Sequence, residues 1–115
     1  TVDGAFEDMK NLIKSGAYVP HGAVVADNDT VAIGAVKAIR EAGLTIPHDL
    51  SLVCFDNYMY LDFLEPPVTR VAQPIDEIGV LAIKILPRTM EKRDEKPGQL
   101  LLPPTLLLAK SVRQL

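Results

Sequence analysis

Polar side chains cluster at two places where a run of apolar residues ends. Asp27-Asn28-Asp29 follows Ala23–Ala26, and Asp56-Asn57 follows the run from Ser51 to Phe55. Carboxylates and amides offer acceptors and donors that suit the hydroxyl groups of a polar small molecule. The same residue types also cap helices and form turns. From spacing alone, capping and ligand contact both stay open for Asn28 and Asp29, as do turn and ligand contact for Asp56-Asn57.

Other site chemistries lack the residues they need. The acidic trio at positions 27–29 has neither the glycine nor the distant glutamate of a calcium loop, so we expect no metal site. Walker, GxGxxG and CxxC motifs are absent, so we expect no cofactor. His21 and His48 have no motif partner and are predicted to be surface residues, and Cys54 is predicted to be a buried, inert thiol. The sequence therefore favours a binding protein over an enzyme.

Two strands with a helix between them would bring both polar clusters to one edge of a sheet. Ala23–Ala26 predicts a strand buried on both faces, and Ser51 to Phe55 predicts a second one. The helix between them should run from about Val31 to Ala42 and end at Gly43, with Gly34 permitting close packing. A strand–helix–strand order predicts a parallel βαβ unit, and ligands bind beyond the carboxyl ends of such strands.

The other elements are predicted from the same signals of spacing, proline and glycine. In chain order, we expect a helix capped by Asp3 and running to about Ser15 with Gly16 as its stop, a looser segment from Asp56 to Pro67, a strand over Val68 to Ala72, a helix from Ile75 that Pro87 kinks or ends, a polar helix end and loop over Arg88 to Gly98, and two short strands at Leu100–Leu102 and Leu106–Leu108.

Composition limits the partners of the chain. It has 115 residues, 48% of them apolar and 23% charged, which is typical of one soluble globular domain. Its net charge is −3, and the densest basic cluster, Lys92-Arg93 with Lys96, is interleaved with acidic residues. DNA-binding surfaces need a concentrated basic stripe, so we do not expect this segment to hold DNA itself. No apolar stretch reaches the ~18 residues of a membrane span and no signal peptide is visible, which favours a cytoplasmic protein.

Short motifs over roughly residues 3 to 111 resemble the LacI/GalR family of transcriptional regulators in order and spacing. Each motif alone is weak, but their ordered combination is specific. The motifs are Asn28-Asp29-Thr30-Val31-Ala32-Ile33-Gly34-Ala35, Glu41-Ala42-Gly43-Leu44, Ile46-Pro47, Leu50-Ser51-Leu52-Val53, Phe55-Asp56, Pro66-Pro67-Val68-Thr69-Arg70-Val71, Gln73-Pro74-Ile75 and Leu101-Leu102-Pro103-Pro104.

The resemblance implies a fold like that of periplasmic sugar-binding proteins: a three-layer α/β architecture with a mainly parallel sheet, here a C-terminal subdomain that is incomplete without its N-terminal partner. Residues 1–72 would form the C-terminal effector-binding and dimerisation subdomain. Residues 73–98 would be a crossover helix belonging to the N-terminal subdomain, and residues 99–115 crossing strands and the tail. The face from Ile75 to Ile85 would then have lost its native partner, so we expect another copy to cover it or unusual packing.

The resemblance also implies site residues and partners. Effector contacts carry over to Asn28, Asp56 and Gln73, suited to a sugar or a similar small polar ligand. Operator DNA would be held only through an N-terminal headpiece that this chain lacks. Asn57 stands where a second aspartate is frequent in the family. Contacts of a homodimer carry over to Ile33, Val36, Lys37 and Arg40 on the second helix and to Tyr60, Phe63 and Leu64 in the loose segment.

For the segment from Tyr60 to Leu64, a core or satellite cluster is the alternative to a subunit interface. At the level of function, the leading interpretation is an effector-sensing and dimerisation module of a DNA-binding repressor. The alternative is a periplasmic sugar-binding protein of a transporter, which would share Asn28-Asp29 and Phe55-Asp56. An enzyme on a flavodoxin-like scaffold is a third possibility, but it needs a nucleophile or cofactor motif.

Overall fold

The computed structural model describes residues 1–91 and 98–114, and helices and strands alternate through most of them. Part of the predicted polar loop, residues 92–97, lies outside the described residues. In chain order the elements are α1 (Val2–Lys14), β1 (Ala23–Ala26), α2 (Asp29–Glu41), β2 (Ser51–Cys54), a 3-10 helix (Met59–Asp62), β3 (Thr69–Ala72), α3 (Ile75–Glu91) and β4 (Thr105–Leu107).

The strands form one sheet in the order β1-β2-β3-β4. β1 pairs with β2 in parallel over its whole length, from Ala23 opposite Ser51 to Ala26 opposite Cys54. β3 also runs parallel to β2 and pairs through Thr69 and Arg70. The predicted parallel βαβ unit is therefore confirmed, and the first two strands end level with each other.

The prediction that β1 is buried on both faces is wrong. Val25 is 73% exposed, whereas Ala26 next to it is fully buried. β1 lies at the edge of the sheet, and α2 contacts it. Because neighbouring side chains of a strand point to opposite faces, the face that holds Ala26 is covered and the face that holds Val25 is open.

Side chains cap the first turns of α1 and α2, and glycines follow their last turns. Thr1 caps α1 by accepting a hydrogen bond from the Gly4 amide, so Asp3, which was predicted to be the cap, instead lies in the first turn. A side-chain oxygen must precede the helix to reach its free amides, and Thr1 is the residue placed to do so. At the other ends, Gly16 and Gly43 have φ values of 68° and 73°, the left-handed conformation that stops a helix.

The helices α1 and α2 approach each other closely. A Cβ atom at Gly34 would lie only 2.5 Å from the carbonyl oxygen of Val2, so the predicted packing role of this glycine is confirmed. Phe6 of α1 packs beside it, with the ammonium groups of Lys10 and Lys37 lying 5.0 and 4.6 Å from its ring centre. Lys10 also forms a 2.6 Å ion pair with Glu41 of α2.

Two apolar clusters fill the space around the sheet and the first two helices. One joins the sheet to the 3-10 helix, and the other joins α1 to α2 and to the start of β2. Their buried members are Ala26, Ala32, Val36, Leu52, Cys54, Leu61 and Val68 in the first cluster, and Phe6, Met9, Ala35, Ala38, Ile39 and Leu50 in the second.

The C-terminal tail is bound between β2 and β3. The fully buried Ser111 hydroxyl donates to the Leu52 carbonyl at 2.5 Å and accepts from the Thr69 amide at 2.8 Å. The Ser111 carbonyl accepts from the Leu52 amide at 2.8 Å, and the Arg113 amide donates to the Ser51 hydroxyl at 3.1 Å. The tail thus satisfies buried backbone groups where the two strands are not yet paired with each other.

By internal contacts the chain divides into two units, Thr1–Ala72 with the final segment from Leu106, and Gln73 to Thr105. Within the second unit, α3 continues through Pro87 to Glu91, so the prediction that Pro87 could end the helix is wrong. Proline removes one helical hydrogen bond, to the carbonyl of Ile83. Because the Ile83 side chain is 74% exposed, water can reach this part of the helix and replace that bond.

Only one of the two predicted C-terminal strands forms. Residues 98–104 have no regular secondary structure, and β4 begins at Thr105, immediately after Pro103-Pro104. Since proline has no amide hydrogen, it cannot donate to a strand ladder, which explains why pairing starts after the two prolines. The Ile75 to Ile85 face of α3 is largely exposed, with Ile75 57% and Ile85 46% exposed.

Removing the Ser111 hydroxyl should destabilise the fold. We expect Ser111→Ala to lower the free energy of unfolding by about 1–3 kcal/mol, because it leaves the buried Thr69 amide without its acceptor. Urea unfolding monitored by circular dichroism measures this change. Ser15→Ala, which removes an exposed hydroxyl bonded to the Leu12 carbonyl, is the control and should cost less than about 0.5 kcal/mol. Equal losses in both variants would contradict the role assigned to the tail.

Candidate functional site

Asn28 stands at the carboxyl end of β1, where it begins α2. Its backbone is extended, and its side-chain oxygen accepts a 2.9 Å hydrogen bond from the Val31 amide. Of the two candidates for this cap, Asn28 is therefore the one that forms it. The cap uses only the side-chain oxygen, so the side-chain NH₂ group carries two donors that capping does not need. Capping and ligand contact are thus compatible in this one half-buried residue.

Asp56 stands at the matching place beyond β2. The Phe55 amide donates to the Ala26 carbonyl at 2.8 Å, which extends the β1–β2 pairing up to the residue before Asp56. One carboxylate oxygen of Asp56 accepts from the Asn57 amide at 2.9 Å, and the residue is half-buried. The second carboxylate oxygen is not needed for this turn. Asn28 and Asp56 therefore each lie two residues beyond the end of a strand, and these two strands are paired with each other.

The carboxylates at this edge of the sheet affect the pKa of Cys54. The pKa of the Cys54 thiol is raised to about 11, first by burial and then by the carboxylates of Asp56 and Asp29, while Arg70 acts in the opposite direction. Asp27 adds a smaller effect of the same sign as the other carboxylates. Cys54 is fully buried, so the predicted burial of this thiol is confirmed. The edge is thus rich in acceptors, as a ligand with several hydroxyl groups requires.

Gln73, the third predicted effector contact, directly follows β3. It is half-buried, and its carbonyl accepts a 2.9 Å hydrogen bond from the Ile75 amide at the start of α3. Gln73 is also the first residue of the second unit, whereas Asn28 and Asp56 belong to the first.

Arg70 is the residue of this region that sequence reasoning missed. It lies in β3 and is 7% exposed. Its guanidinium donates to Asn57 at 2.9 Å and to both carboxylate oxygens of Asp62, at 2.7 and 2.9 Å. A signal was present in the sequence, because an arginine inside a predicted strand with apolar neighbours must find partners for its charge where the strand is buried. The pattern did not say which partners these are.

The residues predicted to form a dimer surface differ in exposure. Val36 is 3% exposed and packs in the chain's own core, so it does not belong to the exposed face of α2. On that helix Lys37 and Arg40 are exposed and Ile33 is half-buried. The Arg40 guanidinium donates to the carbonyl of Glu65, which joins the end of α2 to the segment that follows the 3-10 helix.

That segment contains both core and surface residues. Leu61 is fully buried, and the half-buried Leu64 packs against the same core cluster. Tyr60 is 38% exposed and Phe63 80% exposed, and the rings of Tyr58 and Tyr60 are stacked with centres 5.4 Å apart. The core alternative is therefore confirmed for the leucines, whereas the aromatic residues are exposed and the interface alternative stays a prediction for them.

Other features of the described chain lie apart from the strand ends. A mainly apolar groove of about 460 Å³ runs along α1 and α2, and neither Asn28 nor Asp56 is among its lining residues. His21 and His48 are both exposed in loops, as predicted. Asp49 beside them has a pKa lowered to about 2, chiefly by the Thr45 hydroxyl and amide and then by His48. Thr45, His48 and Asp49 are hydrogen-bonded to one another near the amino end of β2, opposite the end that precedes Asp56.

In residues 1–91 and 98–114, no helix combines the length and apolar character needed to cross a membrane. The same described residues bring together no group of three side chains that could hold a metal ion.

Comparison with known proteins identifies the fold and the family. A family model described as a periplasmic binding protein-like domain matches residues 1–112. The HTH-type transcriptional repressor PurR of Actinobacillus pleuropneumoniae serotype 3 is 34% identical over 98% of this chain and 34% of its own length. The ribose operon repressor of Haemophilus influenzae is 38% identical over 81% of this chain and 28% of its own length. The chain thus spans about a third of these relatives.

Solved structures agree. A LacI family transcriptional regulator from Enterococcus faecium, crystallised with bound ribose, superposes with a TM-score of 0.79 at 28% identity, over 97% of this chain and 40% of that one. The lac repressor dimer bound to operator and an anti-inducer superposes with a TM-score of 0.84 at 27% identity, over 97% of this chain and 38% of that one.

The position of the Asp56 carboxylate can be tested through the single cysteine. We expect Asp56→Asn to lower the pKa of Cys54 from about 11, because it removes the nearby negative charge with the largest effect. Asp29→Asn should lower it less, and Asp8→Asn on α1 should leave it unchanged. The NMR chemical shift of the Cys54 Cβ, followed over the alkaline range, gives the value without requiring a reagent to reach the buried sulfur. Identical profiles for Asp56→Asn and the unsubstituted chain would place this carboxylate away from the strand end.

Proposed function

We propose a function from one premise: the chain belongs to the LacI/GalR family of transcriptional regulators and to its periplasmic binding protein-like domain. It acts as part of the effector-sensing and dimerisation region of a transcriptional repressor. The observation that carries this proposal is the placement of Asn28 and Asp56 beyond paired, parallel strand ends. Ligands of open α/β sheets bind at that place.

The proposed effector is a sugar or a similarly hydroxylated small molecule. Asn28 offers two amide donors, and Asp56 offers a carboxylate oxygen that its own turn does not use. A carboxylate and an amide side by side can each bind hydroxyl groups of one ring. Gln73, the residue after β3, is proposed as a third contact. The regulator from Enterococcus faecium has ribose bound, which supports this class of ligand.

The proposed action is a change in equilibrium, without making or breaking a covalent bond. Effector binding would favour one arrangement of the two halves of the sensing region, and that arrangement would set the orientation of a DNA-binding headpiece outside residues 1–115. On this view residues 1–72 form the effector-binding and dimerisation subdomain, residues 73–98 the crossover helix, and residues 99–115 the crossing segment and tail. The protein would work in the cytoplasm, where its operator DNA is.

Self-association is proposed to use two exposed surfaces of the first unit. One is the outer side of α2, with Ile33, Lys37 and Arg40. The other is the segment from Tyr60 to Leu64, in which Phe63 is the most exposed aromatic ring. Aromatic residues and arginine are enriched at protein interfaces, and Phe63 lies in a run with the exposed Tyr58, Met59 and Tyr60, so several apolar side chains are exposed together. The lac repressor structure is a dimer bound to operator, which supports the same arrangement here.

The relatives favour a regulator over a transport receptor, because repressors and LacI family regulators account for the matches described above. They likewise favour binding over catalysis.

Removing the Asp56 carboxylate should weaken effector binding. In the intact repressor, we expect Asp56→Ala to lower affinity about 10- to 100-fold, since a hydrogen bond to a charged group contributes about 1.5–3 kcal/mol. Operator binding should be unchanged. A thermal-shift screen of pentoses, hexoses and disaccharides selects the sugar, and calorimetry then gives the affinity. Asp8→Ala, an exposed carboxylate on α1, is the control. Unchanged induction in Asp56→Ala would remove Asp56 from the site.

Removing the exposed ring of Phe63 should weaken self-association. We expect Phe63→Ser to raise the dimer dissociation constant at least about tenfold, because aromatic anchors contribute much of the energy of such interfaces. Its exposure of 80% means that the fold should tolerate the change. Val19→Ser, at a loop residue 71% exposed, is the matched control. Sedimentation equilibrium measures the constant, and a monomeric profile of the unsubstituted protein at high concentration would count against the dimer.

A further inference from the structure

Arg70 contacts two residues that lie at opposite ends of one surface segment. The segment runs from Asn57 to Asp62, and both of these side chains accept hydrogen bonds from the same guanidinium. Its Nε atom binds Asn57, whereas Nη1 and Nη2 bind the two carboxylate oxygens of Asp62. Because the guanidinium is planar and its donors point in set directions, the positions of Asn57 and Asp62 become mutually dependent.

The two ends of this segment belong to different proposed surfaces. Asn57 directly follows Asp56, and the Asn57 amide donates to the Asp56 carboxylate at 2.9 Å. Asp62 is the last residue of the 3-10 helix that carries Tyr60, and Phe63 comes next. The Asp56–Asn57 turn is therefore connected to the exposed aromatic residues through the side chain of Arg70.

Between these two ends, the side chain of one residue packs into the core. Leu61 is fully buried, and its carbonyl accepts a 3.2 Å hydrogen bond from the Val68 amide. Tyr58, Met59 and Phe63 are more than half exposed, at 52, 72 and 80%. Exposed side chains add little to the position of a backbone, so Leu61 and Arg70 are the contacts that set the segment's geometry.

Neutralising a buried charge would not by itself require this arrangement. Asp62 has a side chain that is 54% exposed, so water could serve it without a partner. Arg70, whose side chain is 9% exposed, could have been paired through any one carboxylate. Instead Arg70 uses three of its donors to join Asn57 and Asp62, and a fourth, longer contact of 3.4 Å reaches the Val68 carbonyl in its own strand region.

We propose that Arg70 is a positioning residue that couples the effector end of the Asp56–Phe63 segment to its exposed aromatic end. The proposal rests on the proposed function in naming those ends an effector site and a dimer surface. The coupling itself is a property of the folded chain and can be measured without an effector and without a partner.

The pair should stay formed over the neutral range. The hydrogen bond from Arg70 lowers the pKa of the Asp62 carboxyl below its ordinary value. An acid whose pKa is lowered in the folded state contributes stability above its unfolded value and loses it as the pH falls through its folded value. The coupling should therefore be intact at neutral pH and weaken only in acid.

Amide hydrogen exchange of the whole chain tests the coupling, with the substitution at one end and the measurement at the other. We expect Asp62→Asn to speed exchange of the Asn57 amide, which is bonded to the Asp56 carboxylate, by about tenfold, as well as that of residues 59–63, while β1 and α2 keep their rates. Asp62→Glu, which keeps the charge, should restore part of the protection. Arg70→Lys keeps a cation without the planar fork and should resemble Asp62→Asn. In acid, the unsubstituted chain should approach the rates of Asp62→Asn.

Lys10→Met is the matched control, because it breaks an ion pair elsewhere in the first unit, between Lys10 and Glu41. It should leave the 56–63 amides unchanged. Faster exchange confined to residues 59–63 in Asp62→Asn would overturn the proposal, since the far end would then be independent. Faster exchange throughout the chain would also overturn it, because the pair would serve overall stability only. A monomeric protein would refute the proposed dimer surface but leave this measurement of the coupling intact.

Discussion

The structure depends on how the backbone of β2 is satisfied. β2 lies inside the sheet, with Ser51, Leu52 and Cys54 buried, so its amides and carbonyls need partners within the protein. β1 supplies these along one side, but β3 pairs with β2 only through residues 53–54 and 69–70. The gap at Leu52 is filled by Ser111, 59 positions later in the chain. Without this serine, the start of β3 would lose the acceptor of its Thr69 amide, next to Arg70.

Arg70 also takes part in the electrostatics of the polar edge, where the carboxylates follow β1 and β2. Asp27, Asp29 and Asp56 all raise the pKa of the buried Cys54 thiol, and Arg70 opposes them. Arg70 is also hydrogen-bonded to Asn57 and Asp62. The same guanidinium therefore acts on the buried thiol at the polar edge and holds the segment beyond it.

Local signals predicted the first half of the fold well. β1 has the predicted bounds, α2 ends before Gly43, and Gly34 permits the close approach of α1, because caps, apolar runs and glycines act over a few residues. Burial of both faces of β1 was predicted wrongly, since no local pattern shows which strand lies at an edge. Ser111 and the partners of Arg70 were missed for the same reason: their bonds join residues far apart in sequence. The placement of Asn28 and Asp56 at one edge of the sheet was predicted correctly, because parallel topology alone brings strand ends together.

Two physical routes lead from the polar edge to the outer surface of the first unit, and they differ in what they can transmit. One is α2, whose 13 residues extend about 20 Å from the Asn28 cap to the region of Arg40 and its bond to the Glu65 carbonyl. This helix is packed tightly against α1 at Gly34, where an added Cβ would lie 2.5 Å from the Val2 carbonyl oxygen, so a movement of α2 along this route would disturb its contact with α1. The other route is Arg70, which joins Asn57 and Asp62 directly. A displacement of Asp56 along this second route would move one largely exposed segment about the buried Leu61 and would not need the packed helices to move.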